Sequence, residues 1–207
     1  TLGRTVTYTY ENEPTKWGNP RLKTVTNPAG GVTTYGYAVA FNISTITDAR
    51  GITYLTNTYV SGANAPLDPA VATQTLADGS VTRFDYVVTN QGITQATVTD
   101  PRGKPTVHRF NTRGYDTITL DALGQQTTKT LDFVTNHVTQ VRDPLNRLTT
   151  FTYDLVNNVT SMLDPQQNPT LFEYEATFNR VTKITDALNQ LTRFTYDPAT
   201  CNMLTTV

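Results

Sequence analysis

The stretch Asp143-Pro144-Leu145-Asn146, followed by Phe151-Thr152-Tyr153-Asp154, decides the fold, because close variants of it return along the chain. One variant is Asp186-Ala187-Leu188-Asn189, which is followed by Phe194-Thr195-Tyr196-Asp197. The leading aspartates recur about every 21 to 22 residues, and a period of that size indicates one supersecondary unit stacked many times. The sequence therefore predicts an array of repeats rather than a globule around one site.

Each unit is predicted to be a β-hairpin. Residues 138–143 form the first strand, residues 144–147 the turn and residues 148–154 the second strand. Thr, Val, Tyr and Phe suit a pleated surface, and Phe151 and Tyr153 leave the same face because they are two residues apart. The pattern Asp-Pro-x-Gly/Asn is typical of turns. Since no stretch carries a sustained helical period, we expect an all-β fold of tandem antiparallel hairpins.

The repeat covers nearly the whole chain. The second aromatic residue of each unit follows the turn Gly or Asn by about seven positions; this ladder comprises Tyr10, Tyr37, Tyr86, Phe110, Tyr153, Tyr174 and Tyr196. We expect a single array over residues 1–207, cut from a longer chain, with loop insertions at 11–20 and 61–69.

Three units depart from the regular spacing. In the fifth unit Leu131 takes the aromatic position, and we expect a bulge there. In the second unit Tyr59 falls one residue late, and in the seventh unit the turn residue Asn168 does so.

Composition limits the classes of partner. The net charge is −1, with acids and bases interspersed, so the chain has no basic stripe for nucleic acid. No apolar run approaches the roughly 20 residues of a transmembrane helix. A single cysteine, Cys201, excludes an internal disulfide framework and a Cys-based zinc site. Thr supplies roughly a fifth of the residues, as exposed strand faces require.

Two ladders and two histidines are the candidates for chemistry. The aspartates could form a calcium array, but each begins its own turn, which favours capping of the turn backbone; they are Asp48, Asp78, Asp100, Asp121, Asp143, Asp164 and Asp186. The aromatic ladder could stack sugars, although its regular spacing favours packing between units, and such rings could still line an interior wall. His108 takes an aromatic position, and His137 lies in a turn where we expect it to be solvated. We therefore predict no catalytic, cofactor or metal site.

The unit Val-Thr-x-x-x-Asp-Pro-x-x-x-x-Thr-x-Phe-x-Tyr-Asp-x-x-x-Asn, as in residues 138–158, resembles the YD repeat of RHS-repeat proteins. That family includes bacterial Rhs polymorphic toxins, B and C components of insecticidal toxin complexes, wall-associated bacterial proteins and animal teneurins. Its repeats form a β-ribbon that spirals into a hollow shell, which in the toxins encloses a C-terminal toxic domain. The Asp-Pro-rich core motif that frees the cargo by autoproteolysis has no match here, so no autoproteolytic residue is carried over. Several Tyr-Asp pairs have drifted, as in Tyr37-Ala38 and Tyr174-Glu175.

The resemblance implies a non-enzymatic structural segment, a wall of a β-shell or solenoid that encapsulates a toxin or effector cargo. The implied partners are the remainder of its own chain and the cargo domain, and the implied location is secreted or at the cell surface, in a bacterium. The alternative is an extracellular fibre or cell-surface adhesin, in which neighbouring copies join through the exposed edges of the first and last hairpins. In that alternative, binding of carbohydrate is left open.

Overall fold

The computed structural model describes residues 3–12, 20–38, 41–60 and 70–206, and every regular element in those ranges is a β-strand. The chain divides into two compact units, Thr1–Gly114 and Tyr115–Val207. The strands of the first unit are β1 (Thr7–Asn12), β2 (Pro20–Thr26), β3 (Val32–Tyr37), β4 (Ile43–Thr47), β5 (Thr53–Tyr59), β6 (Val71–Leu76), β7 (Val81–Thr89), β8 (Gly92–Thr99) and β9 (Pro105–Phe110). The strands of the second unit are β10 (Asp116–Leu120), β11 (Gln126–Leu131), β12 (Val138–Arg142), β13 (Leu148–Tyr153), β14 (Val159–Leu163), β15 (Pro169–Tyr174), β16 (Val181–Thr185), β17 (Leu191–Tyr196) and β18 (Met203–Thr206).

Each unit is an antiparallel meander in which every strand pairs with the next one in sequence. In the first unit the pairing runs from β1 to β9. In the second unit it runs from β10 to β18. The all-β hairpin prediction is confirmed, and β12 and β13 each end one residue before the predicted boundary.

The register gives the sheet two unlike faces. In the second unit Phe151 lies opposite Met162 and Phe172 opposite Ile184. We call this side, which also carries the tyrosine that follows each Phe by two residues, the aromatic face. The other side carries no aromatic ring in these strands; Glu173 lies opposite Lys183 there, and Leu171 and Leu191 share that side. Among the described residues no apolar side chain is buried, so within each unit the sheet is a single layer with no enclosed core.

In most repeats a register shift lies directly before the second aromatic residue. The shifts lie at Thr9/Tyr10, Gly36/Tyr37, Thr58/Tyr59, Thr130/Leu131, Thr152/Tyr153, Glu173/Tyr174 and Thr195/Tyr196. The bulge predicted near Leu131 is confirmed, but the sequence analysis was wrong to treat it as an exception, because the bulge belongs to the repeat. In the repeat that begins at Asp48, an additional register shift between Ile46 and Thr47 accommodates the extra residue. Tyr59 therefore directly follows a bulge, as the aromatic residues of the other repeats do.

The turn that begins at Asp164 differs from what the sequence predicted. Gln167 has a φ of 66°, so Gln167 and not Asn168 takes the left-handed turn position. Asn146 and Asn189 hold the same position in neighbouring hairpins with φ of 64° and 60°. A non-glycine residue pays about 1–2 kcal/mol for this conformation, and Asn tolerates it better than Gln.

The expected loop insertions fall largely outside the described residues. Residues 13–19, with the only tryptophan, and residues 61–69 are not among them; Glu11 lies in β1, and Pro20 begins β2. A single array over residues 1–207 stays a prediction. The described part of the chain contains no helix able to cross a membrane.

We expect Gln167→Gly to raise the free energy of unfolding by about 1 kcal/mol, because glycine adopts the left-handed conformation without strain. Urea denaturation of both proteins measures the change. The matched control is Gln166→Gly in the same turn, where φ is not left-handed. That change is expected to destabilise the chain by about 0.5–1 kcal/mol through backbone entropy. Equal effects at the two positions would contradict the turn assignment.

Candidate functional site

In each regular hairpin a tyrosine hydroxyl on the aromatic face forms a hydrogen bond between the two strands, at the end away from the turn. Tyr153 donates its hydroxyl hydrogen to the carbonyl oxygen of Val138 at 2.8 Å. Val138 begins β12, whereas the ladder between β12 and β13 begins only at Gln140 and Thr150. The hydroxyl therefore satisfies a carbonyl that lies beyond the last ladder pair, a group that would otherwise lose a hydrogen bond.

The same bond recurs in both units at distances of 2.6–2.9 Å. It joins Tyr37 to Leu22, Tyr59 to Ile43, Tyr86 to Val71, Tyr174 to Val159 and Tyr196 to Val181. Burial raises the pKa of Tyr37, Tyr86 and Tyr174 above the usual value, so these hydroxyls remain donors at neutral pH. This geometry favours the structural interpretation of the aromatic ladder over a sugar-stacking one.

A cationic or imidazole group covers the tyrosine ring in three hairpins. The guanidinium of Arg21 lies 4.6 Å from the Tyr37 ring centre, and that of Arg180 lies 5.1 Å from the Tyr196 ring centre. His137 stacks on Tyr153 with ring centres 4.6 Å apart and an angle of 27° between planes. His137 lies in the turn before β12, as expected, but the expectation that it is solvated is wrong, because its ring is half-buried against Tyr153. It directly precedes the carbonyl that Tyr153 binds, and this position brings a side chain over the ring.

The aspartate ladder caps turns, as the sequence analysis favoured. Asp143 Oδ1 accepts hydrogen bonds from the backbone N–H of Leu145 at 3.0 Å and of Arg147 at 2.9 Å. Its own backbone N–H donates to the Arg147 carbonyl, and its carbonyl accepts from Asn146 N–H. The same pair of carboxylate contacts occurs at Asp48, Asp100, Asp121, Asp164 and Asp186. Among the described residues no cluster of three potential metal-ligating side chains occurs.

Asp78 does not fit the predicted ladder. In its turn the backbone pair joins Leu76 to Ser80, so Leu76 holds the position that an aspartate holds elsewhere. Asp78 Oδ1 accepts a hydrogen bond from Ser80 N–H at 2.9 Å, and the Ser80 side chain also bonds the Asp78 carboxylate. The spacing carries this difference, because Asp78 lies one residue before Gly79, whereas Asp143 lies three residues before Asn146.

The aspartate of the Tyr-Asp pair forms a second row of caps, at the opposite edge of the sheet. Asp154 Oδ1 accepts from Val156 N–H and Asn158 N–H, both at 2.9 Å. Glu175 replaces it one unit later and accepts from Thr177 N–H at 2.7 Å and Phe178 N–H at 2.8 Å. This second row of caps was not predicted from the sequence, although the Tyr-Asp pair recurs in it. The Tyr-Asp pair thus has two separate tasks, since the tyrosine closes one hairpin and the carboxylate begins the next turn.

Hydrogen bonds lower the pKa values of the turn carboxylates. The side-chain bond from Arg147, followed by its backbone N–H, lowers the pKa of Asp143 below the usual value. The backbone N–H of Asn158 is the largest influence lowering the pKa of Asp154. Both groups are therefore carboxylates at neutral pH, and their charge is used for turn capping.

In the repeat that begins at Asp121, a lysine replaces an aromatic residue on the aromatic face. Lys129 holds the position that Phe151 holds one unit later, and its Nζ lies 3.2 Å from Asp116 Oδ2. The Thr119 hydroxyl donates to the same carboxylate oxygen at 3.1 Å. The ion pair thus replaces an aromatic–aliphatic contact, and the sequence analysis noted only the neighbouring Leu131.

An open cavity of 660 Å³ lies on the aromatic face of the first unit. Tyr86, Ile93, Ala96, Phe110 and Arg113 are among its lining residues. It adjoins the hairpin of β7 and β8, whose nine and eight residues make it longer than the other described hairpins.

Comparison with known proteins agrees with this architecture. Residues 134–169 match the RHS Repeat family, which confirms the resemblance seen in the sequence. The crystal structure of TcdB2-TccC3 is similar over 91% of this chain, with a TM-score of 0.62 and 13% identity. A Tc holotoxin pore from Photorhabdus luminescens is similar over 92%, with a TM-score of 0.62 and 13% identity. This chain covers 11% of each of those chains, and no curated protein matches it.

We expect Tyr153→Phe to lower the free energy of unfolding by about 1–2 kcal/mol, because the Val138 carbonyl loses its partner while the ring stays. Urea denaturation measures the loss. Tyr8→Phe is the matched control, since Tyr8 is more than half exposed, and it is expected to change stability by less than about 0.5 kcal/mol. A loss of the same size at Tyr8 would contradict the hydroxyl–carbonyl account.

We expect Asp143→Asn to destabilise the chain at neutral pH but not in acid. Asn27 caps its own turn with Oδ1, at 2.9 Å from both Ala29 N and Gly31 N, so an amide keeps the cap. What is lost is the Arg147 ion pair of 2.6 Å. Because the folded pKa of Asp143 is lowered, its charge stabilises the fold above the unfolded pKa of about 3.9, and this contribution disappears as pH falls through the folded pKa.

The measurement is the free energy of unfolding of both proteins as a function of pH. The difference between them is expected to be largest at neutral pH and to close in acid. A difference that persists unchanged below the folded pKa would contradict the charge-based explanation.

Proposed function

We propose that the chain is a non-enzymatic structural segment of an RHS/YD-repeat protein, part of the wall of a hollow β-shell that encapsulates a toxin or effector cargo. The observation that carries the proposal is the single-layer sheet with two unlike faces. In the second unit one face carries Phe and Tyr rings, whereas the other carries no aromatic ring in β13 to β17 and holds the ion pair of Glu173 and Lys183 beside leucines such as Leu171. A wall that separates water from an enclosed interior needs two faces of different chemical character.

The wall works through its hydrogen bonding. Strands of about six residues make a ribbon roughly 20 Å wide. Within that width the strand ladders pair the backbone, the tyrosine hydroxyls bind carbonyls beyond the ladders, and the carboxylates bind turn N–H groups. Few free backbone groups remain to bind a cargo chain. The face opposite the aromatic one is directed to solvent, and the aromatic face lines the interior, where it contacts an incompletely folded cargo.

One of the similar structures is a Tc holotoxin pore, and this similarity supports the proposal. Because the chain covers 11% of those chains, enclosure requires the remainder of its own polypeptide. The partners are therefore that remainder and the enclosed cargo domain, and the location is outside the cell or at the surface of a bacterium.

The alternative is a fibre or adhesin that binds carbohydrate. The observation that supports it is the cavity lined by Tyr86 and Phe110. Aromatic rings beside amide and guanidinium groups suit a sugar, which presents apolar ring faces and hydroxyl groups. In this role neighbouring copies would add edge to edge.

Electron microscopy of the full-length protein separates the two functions. We expect a closed hollow particle with internal density. In limited proteolysis of the same sample, the cargo domain is expected to resist cleavage, because the wall excludes the protease, and to become sensitive when mild denaturant opens the particle. The isolated cargo domain is the control for its intrinsic sensitivity. An open filament, or a cargo domain cleaved equally fast in both forms, would contradict encapsulation.

A further inference from the structure

The hairpin of β7 and β8 departs from the repeat beside its tyrosine. Tyr86 pairs directly with Ala96, and the register shift comes only later, between Val87 and Val88. The tyrosines at the same position of other repeats lie opposite larger apolar residues, which are Leu22, Ile43, Val71, Val159, Val181 and Met203. The small side chain of Ala96 leaves space beside the Tyr86 ring, and both residues line the cavity of 660 Å³.

The walls of this cavity combine apolar side chains with amides. Ile93 and Phe110 line it together with Ala96, and Gln91 and Asn111 contribute amide side chains. Phe110 holds a position of the aromatic ladder but has no hydroxyl, so it cannot bind a carbonyl as the tyrosines do. The volume falls within the range of about 300–1,000 Å³ that is typical of ligand sites, which are mostly apolar with a few polar groups.

Strand β8 also extends beyond its neighbour β9. The ladder between β8 and β9 covers Gln95 to Thr99, whereas the ladder between β7 and β8 continues to Gly92. Among the described residues, the ladders therefore place a strand on only one side of residues 92–94. Every second residue of such an edge directs its backbone N–H and C=O outward. Since Gly92 and Ile93 line the cavity, one of its walls is an open strand edge.

We propose that this cavity binds an extended apolar segment of the enclosed cargo polypeptide. The backbone of the segment pairs with the edge of β8 at residues 92–94, and an apolar side chain lies over Ala96, beside the rings of Tyr86 and Phe110. In this mode of peptide binding, main-chain hydrogen bonds supply affinity and a side-chain pocket supplies specificity. The inference rests on the proposed shell, and it gives the wall one fixed attachment point for the cargo.

An extended peptide fits this site better than a sugar. The outward backbone groups of a strand edge recur about every 6.8 Å, which is two residues of about 3.4 Å, and an extended peptide has the same interval. Sugar hydroxyl groups have no such repeat. Because the chain covers 11% of the similar chains, a polypeptide of that length has ample sequence outside this wall to supply the segment.

Hydrogen exchange of the full-length protein tests the site. Ala96→Leu fills the space beside Tyr86, and Val98→Leu is the matched control, because it enlarges an apolar residue of the same strand outside the cavity. We expect the outward amide hydrogens of residues 92–94 to exchange at least about tenfold faster in Ala96→Leu than in the wild type, since the protecting segment cannot enter. Val98→Leu is expected to retain the protection.

Two results of the exchange experiment would overturn the proposal. One is equal exchange in the wild type and Ala96→Leu. The other is protection of residues 92–94 that appears only when a neutral oligosaccharide such as maltohexaose is added, because that result would assign the cavity to a sugar. Ala96→Met repeats the test if the first variant does not fold.

A photo-reactive benzophenone amino acid identifies the occupant. Position 91 lines the cavity, and position 166 is the control, since both are glutamines in turns. We expect position 91 to crosslink to an apolar segment of the cargo that position 166 does not reach. A crosslink from position 91 to a second molecule or to another hairpin, the same cargo crosslink from both positions, or no crosslink would overturn the proposal.

Electron microscopy of the crosslinked sample keeps the site and the shell apart. A closed particle in which position 91 gives no crosslink to the cargo would leave the shell intact and remove only this site. An open filament would contradict the shell itself.

Discussion

The bond between a turn carboxylate and the backbone N–H groups of its own turn is the interaction on which this fold depends. A sheet with no buried apolar side chain among the described residues cannot rely on a packed core. Its stability comes from keeping every hairpin in register, and register is set where the chain reverses. Asp143 and Asp154 fix successive reversals at opposite edges through the same two-bond geometry. The strands between them then have little freedom to slip.

The tyrosine hydroxyl and the bulge are consequences of that constraint. Turns fixed at both edges leave the strands of a hairpin splayed at one end, where the ladder between β12 and β13 stops at Gln140 and Thr150. The shift between Thr152 and Tyr153 keeps β13 paired with β14 on its other side, and Tyr153 spans the gap to Val138. Tyrosine suits this place because its ring packs on the face while its hydroxyl reaches a carbonyl.

The sequence was sufficient to predict the hairpins, their approximate boundaries and, Asp78 excepted, the aspartates that cap the turns at one edge, because two-residue alternation and turn chemistry are local signals. It did not reveal that the bulge recurs, since a register shift depends on the neighbouring strand. Gln167 was missed because Asn is the more usual residue in the left-handed conformation, although Gln167 follows Asp164 by three residues, as Asn146 follows Asp143. The stacking of His137 on Tyr153 and the Lys129–Asp116 pair join residues of different strands, and spacing along one strand carries no information about such contacts.

The drift of the repeat follows from the same physics. Glu175 caps its turn in place of aspartate, and Asn27 does so with an amide, because the turn requires an acceptor oxygen and not a particular residue. Leu131 retains the bulge without a hydroxyl. Since each hairpin contacts only the hairpins beside it, the loss of one interaction affects only that part of the sheet. A fold maintained by such interchangeable roles can therefore persist at 13% identity with a TM-score of 0.62, while residues outside these roles are free to specialise.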